Sequence, residues 1–371
     1  MGNPAIIPIT MPKWGLSMQE GKVVEWLAAE GTSLQPGDQV LDIETEKIAN
    51  TFEALDPGLL RRQVAKPDDV LPIGALLGVL APESVSDADI DAYIAEFQAS
   101  YVPPAEAEGD AGPDYRWADI DGQRIRYTVV GESGPAVILI HGFGGDLGNW
   151  LFNQEAVAAS ARVFALDLPG HGQSGKDIRD PSVAGLAKVV LGFMDSAGVT
   201  DAHLVGHSLG GAVALQIAAT APARVLSLSL LAPAGVGPEI NGGYLAGFIA
   251  GESRRDMKPV MQQLVANPDL ITRQLIDDIL KFKRTDGVPE ALQAIAKGFV
   301  DGNSQRVDLR GVLTNGGVKA QVIWGDKDAI IPVSQSAGLP AGVGVHVLEG
   351  IGHLVQMEAS SQVNTLLKSL L

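Results

Sequence analysis

The rhythm of apolar and polar positions changes twice along the chain. Up to about residue 82, short β-type runs at 22–27, 39–43 and 75–80 are punctuated by Gly31, Pro36-Gly37, Pro57-Gly58 and Gly74. Runs this short between glycines and prolines predict a small all-β sandwich. Next, Ile90, Tyr93, Ile94, Phe97 and Tyr101 recur at helical spacing, and Ser86 followed by Asp89 predicts a capped helix start. From about 115 on, apolar runs at 136–140, 161–166, 203–206, 225–231 and 321–324 alternate with helical stretches such as 209–219. A run that is apolar at every position suits a strand buried on both faces. The alternation predicts a largely parallel sheet covered by helices. Between about 234 and 318 the rhythm is helical throughout.

Charge sharpens these divisions. The 371 residues carry 27 Lys+Arg and 44 Asp+Glu, a net of −17. Residues 1–82 hold 6 basic and 11 acidic groups (−5), 83–114 none and 9 (−9), and 115–371 hold 21 and 24 (−3). The middle piece also contains Pro103-Pro104, Pro113 and the run Ala105-Glu106-Ala107-Glu108-Gly109-Asp110. Stiff prolines and like charges predict an acidic linker at 83–114 with one short amphipathic helix, between domains at 1–82 and 115–371. That helix has two readings: it packs on a neighbouring domain, or it docks a partner protein. A net charge this negative argues against nucleic acid as a partner. With no basic start before an apolar run and no stretch of roughly 20 apolar residues, the expectation is a cytoplasmic chain with no membrane partner. Zero cysteine excludes disulfides, a Cys nucleophile and thiolate metal sites, so no metal is expected and any thiol chemistry uses a borrowed thiol.

In the first piece, Glu44-Thr45-Glu46-Lys47 lies between the apolar runs Val40-Leu41-Asp42-Ile43 and Ile48-Ala49, which predicts a hairpin tip carrying Lys47. Taken alone, a lysine at a turn is usually just solvated. The surrounding order and spacing add more: Met11-Pro12-Lys13-Trp14-Gly15-Leu16-Ser17-Met18, Glu20-Gly21, Trp26, Glu30-Gly31, Pro36-Gly37-Asp38 and Ile43-Glu44-Thr45-Glu46-Lys47. Together they resemble the lipoyl domain of acyltransferase (E2) components of 2-oxo acid and acetoin dehydrogenase complexes. The resemblance covers nearly all of 4–82 and implies lipoic acid amide-linked to Lys47, which would supply the missing thiol. A related module carries biotin on a Met-Lys-Met hairpin, from which Glu46-Lys47-Ile48 departs.

In the last piece, Gly206-His207-Ser208-Leu209-Gly210 fits G-x-S-x-G, follows a strand-like run and opens a helix. That is the context of a nucleophile elbow, where glycines permit a sharp turn that exposes the serine hydroxyl. A serine needs a base and the base an orienting acid. His353, in Gly350-Ile351-Gly352-His353, precedes the last helical stretch, and Asp328, in Trp324-Gly325-Asp326-Lys327-Asp328, follows a strand-like run. Asp326 is the rival acid; Gly-x-x-Asp before Ile330-Ile331-Pro332 resembles the acid loop of the α/β-hydrolase family, a resemblance that implies Asp328. His141-Gly142-Phe143-Gly144-Gly145 follows another strand, where small residues let backbone N–H groups face an oxyanion. The expected donors are the N–H groups of Phe143 and Leu209. His171, in Asp167-Leu168-Pro169-Gly170-His171-Gly172, and His207 read as structural. The order Ser208, Asp328, His353 and these motifs resemble the α/β-hydrolase fold throughout 115–371, with a helical lid at about 235–317.

The fold class implied is multidomain: an all-β lipoyl (biotinyl/lipoyl-type) sandwich plus an α/β-hydrolase fold with a helical lid. The segment His-Gly-Phe-Gly-Gly-Asp-Leu-Gly-Asn-Trp-Leu-Phe-Asn at 141–153 looks like the version fused to lipoyl domains in acetoin-cleaving systems. As a whole the chain resembles the dihydrolipoamide acetyltransferase (E2) family of acetoin dehydrogenase complexes. That resemblance implies transfer of an acetyl group from S-acetyl-dihydrolipoyl-Lys47 to coenzyme A at the Ser-His-Asp site. It also implies a thiamine-diphosphate-dependent E1, the dihydrolipoamide dehydrogenase E3 and further copies of the chain, as a homo-oligomer, for partners. Two features of ordinary E2 chains are missing: a basic two-helix subunit-binding domain in 83–114, and the His-x-x-x-Asp-Gly motif of the usual catalytic domain. The alternatives are a serine hydrolase (thioesterase or esterase) carrying a lipoyl domain, and a scaffold whose hydrolase fold is idle.

Overall fold

The structure is a computed structural model that describes residues 5–12, 14, 18–45, 49–103, 114–315 and 317–371. It divides into two compact units, Met1–Pro113 and Asp114–Leu371. Among the described residues no helix is long and apolar enough to cross a membrane.

The described part of the first unit is a pair of four-stranded antiparallel sheets. Its strands are β1 (Ile7–Thr10), β2 (Glu20–Trp26), β3 (Ser33–Leu34), β4 (Gln39–Glu44), β5 (Ala49–Glu53), β6 (Gly58–Gln63), β7 (Val70–Pro72) and β8 (Leu76–Leu80). They run in the orders β1-β8-β6-β3 and β5-β4-β2-β7. Val23, Val40, Leu41, Ile43, Leu60 and Leu77 fill the space between, none of them accessible to solvent. A core this small is supplemented by a helix, α1 (Asp87–Ser100). The Ser86 hydroxyl caps it by accepting the Asp89 N–H at 3.2 Å. Its apolar face lies on the first unit: Ile90 is fully buried with Leu76 and Val79, and Tyr93, Ile94 and Phe97 pack against them. Arg61 holds Asp87 at 2.9 Å, and the Tyr101 hydroxyl donates to Ile73 O at 2.7 Å. The stripe read from the periodicity therefore packs on its own unit, through Ile90 fully and through Tyr93, Ile94 and Phe97 in part.

The second unit is built on an eight-stranded sheet. Its strands are β9 (Arg116–Ile120), β10 (Gln123–Val130), β11 (Ala136–Ile140), β12 (Arg162–Leu166), β13 (Ala202–His207) and β14 (Val225–Leu231). After a short hairpin of β15 (Val300–Asp301) and β16 (Ser304–Gln305), β17 (Lys319–Gly325) and β18 (Val343–Leu348) complete it. The order is β18-β17-β14-β13-β11-β12-β10-β9. It is parallel from β12 to β18 and antiparallel at β10 and β9. The helices are α2 (Gln154–Ala158), α3 (Val183–Ser196), α4 (Leu209–Thr220), α5 (Gly242–Ala250), α6 (Arg254–Met261), α7 (Arg273–Lys283), α8 (Val288–Phe299), α9 (Arg310–Thr314), α10 (Val355–Glu358) and α11 (Ser360–Lys368).

The continuous apolar runs follow from this layering. Ile138 and Ile140 of β11 point to the side covered by α3 and α4, while Val137 and Leu139 point to the side of Val157 and Val363 from α2 and α11. With both faces covered, no strand position is left for water, and the period-2 alternation disappears. The chain runs from β11 to β12 on one side and then to β13 on the other. That reversal opens a crevice at the carboxyl ends of β11 and β13, where ligands bind in folds of this kind. Helices α5 to α9 and the β15–β16 hairpin lie in the chain between β14 and β17, within the segment expected as a lid.

Candidate active site

Ser208 stands between the end of β13 and the first residue of α4. Its φ of +53° with ψ of −116° is a conformation that side-chain-bearing residues avoid. Such strain costs on the order of 1–3 kcal/mol and persists only where the surroundings enforce it. They do so here. The Ser208 N–H donates to Leu231 O at 3.0 Å, and its carbonyl accepts from Gly211 at 2.9 Å and Ala234 at 3.0 Å. The flanking glycines have no room for a side chain: a Cβ at Gly206 would lie 2.3 Å from Gly210 O, and one at Gly210 would lie 2.1 Å from Ile140 O. A serine at a helix start ordinarily caps the helix through its oxygen, but Ser208 makes no side-chain capping bond, so its hydroxyl is not spent on the backbone.

The segment after β11 lies against this turn. A Cβ at Gly142 would sit 3.1 Å from Ser208 Cβ and 2.9 Å from His207 Nδ1. Phe143, the next residue, is thereby brought beside Ser208. Leu209 contributes the first amide of α4, one of the helix-start donors that have no partner inside the helix. Aromatic rings from the helices between β14 and β17 pack on this segment. Phe143 meets Phe248 of α5 at 5.9 Å and Phe299 of α8 at 6.1 Å, and Phe248 fills the space that a side chain at Gly144 would need.

His353 and Asp328 meet at the same end of the sheet. His353 Nδ1 lies 2.8 Å from Asp328 Oδ2, and neither side chain is appreciably exposed. A carboxylate only accepts, so Nδ1 donates and Nε2 is left as the lone-pair nitrogen. Asp328 is locked in turn: Oδ1 accepts Ile330 N–H at 2.8 Å and Ile331 N–H at 2.9 Å, and Oδ2 also accepts Trp324 Nε1–H at 3.1 Å. Asp326 faces elsewhere, accepting Gly350 N–H at 2.7 Å and pairing with Lys327 at 3.0 Å. The two rivals are thus separated by geometry, with only Asp328 on the imidazole. His207, adjacent to Ser208, donates from Nε2 to His353 O at 3.0 Å, with ring centroids 4.7 Å apart. His353 and Asp328 are thus brought together, the carbonyl of His353 is tied to His207 next to Ser208, and Gly142, which precedes Phe143, lies against the Ser208 turn.

Three other buried histidines, His141, His171 and His207, are not competing bases. Burial lowers His141 to about 4 and His171 to about 3, and holds His207 well below its ordinary value. All three are neutral at pH 7. His141 accepts Leu168 N–H at 2.9 Å on Nε2, tying the segment after β11 to the one after β12. Two features here carry no sequence motif. Trp324 braces Asp328, and Glu358 accepts the N–H groups of both Ala266 at 2.7 Å and Gly352 at 3.0 Å. A lone Glu at the end of a short helix gives no signal in the sequence.

Lys47 lies outside the described residues. On either side of it, β4 and β5 pair antiparallel up to Glu44 opposite Ala49. Across this ladder the Thr51 hydroxyl donates to Asp42 at 2.6 Å.

Comparison with known proteins agrees with this architecture. Residues 135–360 match the family model described as the alpha/beta hydrolase fold, and residues 7–80 match the model described as biotin-requiring enzyme. A meta-cleavage product hydrolase from Pseudomonas fluorescens superposes with a TM-score of 0.63 at 24% identity, over 69% of this chain and 96% of that one. The protein is accordingly an α/β-hydrolase-fold protein that also carries a biotin/lipoyl-type domain. The dihydrolipoyllysine-residue acetyltransferase component of the acetoin cleaving system of Cupriavidus necator is 50% identical over 99% of this chain and 97% of its own length. The protein of the same description from Pseudomonas putida is 51% identical over 96% of each. This chain belongs to the family of dihydrolipoyllysine-residue acetyltransferase components of acetoin cleaving systems. Lipoate covalently attached to the N-terminal domain, and partner components in a common system, go with that family.

Proposed function

We propose that this acetyltransferase works by a Ser-His-Asp acyl-enzyme route, with lipoate on Lys47 and coenzyme A as acceptor. The observation that carries the reading is the alignment of Asp328 on His353 Nδ1 beside the strained Ser208 turn. Lipoate, when attached and reduced to the dihydrolipoyl form, would supply a thiol that presents acetyl as a thioester. The chain after α1 joins the arm-bearing unit covalently to the second unit, so the donor meets the site at high effective concentration.

Ser208 Oγ attacks the thioester carbonyl while His353 Nε2 takes its proton. The N–H groups of Phe143 and Leu209 receive the negative charge that develops on the carbonyl oxygen. The C–S bond then breaks, and His353 delivers the proton to the departing sulfur. In the second half His353 takes the proton of the coenzyme A thiol, the sulfur attacks the acetyl ester of Ser208, and the proton returns to the serine oxygen. One thioester is broken and one is made, so no redox partner is needed within the step. Asp328 holds the imidazole in the productive tautomer and balances its charge. Phe143, Phe248 and Phe299, gathered between the lid and the segment after β11, keep water from the ester. We infer that the thiamine-diphosphate-dependent E1 loads the arm, that dihydrolipoamide dehydrogenase E3 reoxidises it, and that the chain works as a homo-oligomer.

The full-length lipoylated protein, acetylated on its arm and mixed with coenzyme A, is expected to pass most of the acetyl to the thiol, with little free acetate. Free acetate as the main product, with coenzyme A unacylated, would establish the hydrolase alternative instead.

A further inference from the structure

The segment carrying His353 is held by more than its aspartate. The N–H groups of His353 and Leu354 both donate to Leu264 O, at 2.9 and 3.0 Å. Leu264 begins the 264–266 segment, in the lid between α6 and α7. The contact is tight, since a Cβ at Gly352 would lie 2.7 Å from the amide nitrogen of Ala266. Glu358, at the end of α10, bridges the two sides of this contact: Oε2 accepts Ala266 N–H at 2.7 Å and Oε1 accepts Gly352 N–H at 3.0 Å.

The electrostatics give the bridge a second property. Burial pushes Glu358 up to about 7, offset in part by the two backbone N–H donors and by His353, and reinforced by the like charge of Asp328. His353 and Asp328 are the titratable groups that face it from the neighbouring loops; the 264–266 segment, Leu-Val-Ala, adds none. An ionised carboxylate in such a place is costly, and two amide donors alone would be served as well by neutral oxygens. Its charge has a use here, because His353 becomes an imidazolium in each half of the transfer.

We propose that Glu358 is a positioning residue for the acyl transfer: its carboxylate clamps the 264–266 segment of the lid to the His353 loop and supports the positive charge that His353 acquires. The proposal rests on the Ser208–His353–Asp328 reading above. The sign of its pH dependence follows from the direction of the shift. Above about pH 7 Glu358 is ionised and the clamp is complete. As the pH falls through that value the carboxyl takes a proton, one backbone donor loses a lone-pair partner, and the charge beside His353 is lost. The acid limb of the rate profile should therefore carry a proton dissociation from Glu358.

The test uses the full-length lipoylated protein with coenzyme A and measures kcat, KM and the pH profile for Glu358→Gln and Glu358→Asp. In Glu358→Gln, kcat at pH 8 is expected to fall about tenfold, as for a displaced catalytic group. KM should stay within about twofold, since Glu358 touches no substrate. The acid limb should lose the Glu358 dissociation. In Glu358→Asp, which keeps an ionisable carboxyl but is too short to reach both donors, a carboxyl dissociation should remain in the limb while kcat drops. A Glu358→Gln enzyme with the parent kcat and limb overturns the proposal, and so does a Glu358→Asp enzyme whose limb lacks that dissociation, matching that of Glu358→Gln. If Glu358→Gln does not fold, the Asp variant alone decides on the same terms. Failure of the underlying reading looks different: Ser208→Ala would then retain transfer whatever Glu358 does.

Discussion

Replacing Ser208 by alanine is expected to reduce acetyl transfer to coenzyme A by about 10⁴-fold or more, because no other nucleophile stands at the turn. The loss should appear in kcat, with the lipoyl arm still loaded and the fold unchanged. Ser208 spends its side chain on no structural bond, and its unusual φ of +53° is enforced by backbone contacts that alanine leaves intact. Thermal unfolding should thus move little while single-turnover transfer disappears. Retention of transfer in Ser208→Ala would mean direct attack of one thiol on the other thioester, with the hydrolase fold serving only to bring them together.

Asp328→Asn is the second large effect, expected at about 10³–10⁴-fold in kcat. Both oxygens of Asp328 face only donors: two backbone N–H groups on Oδ1, and Trp324 Nε1 and His353 Nδ1 on Oδ2. An asparagine must turn its NH₂ toward one of those pairs. If it faces His353, the imidazole shifts its proton to Nε2 and presents no lone pair to Ser208. If it faces Ile330 and Ile331, two amides lose their acceptor and the loop moves. Either way the base is lost, through tautomer or through position. The same change at Asp326, which holds Gly350 N–H and Lys327 at the surface, should cost less than tenfold. Measuring both variants under single-turnover conditions separates the two acids, and equal losses would remove the distinction.

The sequence made some of this legible for reasons the structure supplies. Gly206 and Gly210 are visible as a motif because backbone oxygens pass within about one atom's width of where their side chains would be, so no other residue fits. The apolar runs at β11 and β13 are visible because both sheet faces are covered. The spacing of Ile90, Tyr93, Ile94 and Phe97 predicted α1, but periodicity cannot say what a stripe packs against; that it packs on the first unit depends on Leu76 and Val79 across the contact. Choosing between Asp328 and Asp326 required knowing which carboxylate the β17 end turns toward His353. Glu358 was hidden altogether. Its partners are backbone N–H groups of Ala266 and Gly352, and such contacts leave no requirement on residue type in the sequence. The meeting of Phe143 with Phe248 and Phe299 is equally a product of tertiary placement.

The central claim is that acetyl passes through Ser208 on its way to coenzyme A. It is tested most directly by acetylating the arm of the full-length lipoylated protein, withholding coenzyme A, quenching in acid and mapping the peptides by mass. The account predicts an acetyl group on Ser208 that vanishes when coenzyme A is added, with acetyl-coenzyme A formed in equal amount. An unmodified Ser208 peptide, together with acetyl transfer that proceeds at full rate once coenzyme A is supplied, would contradict it.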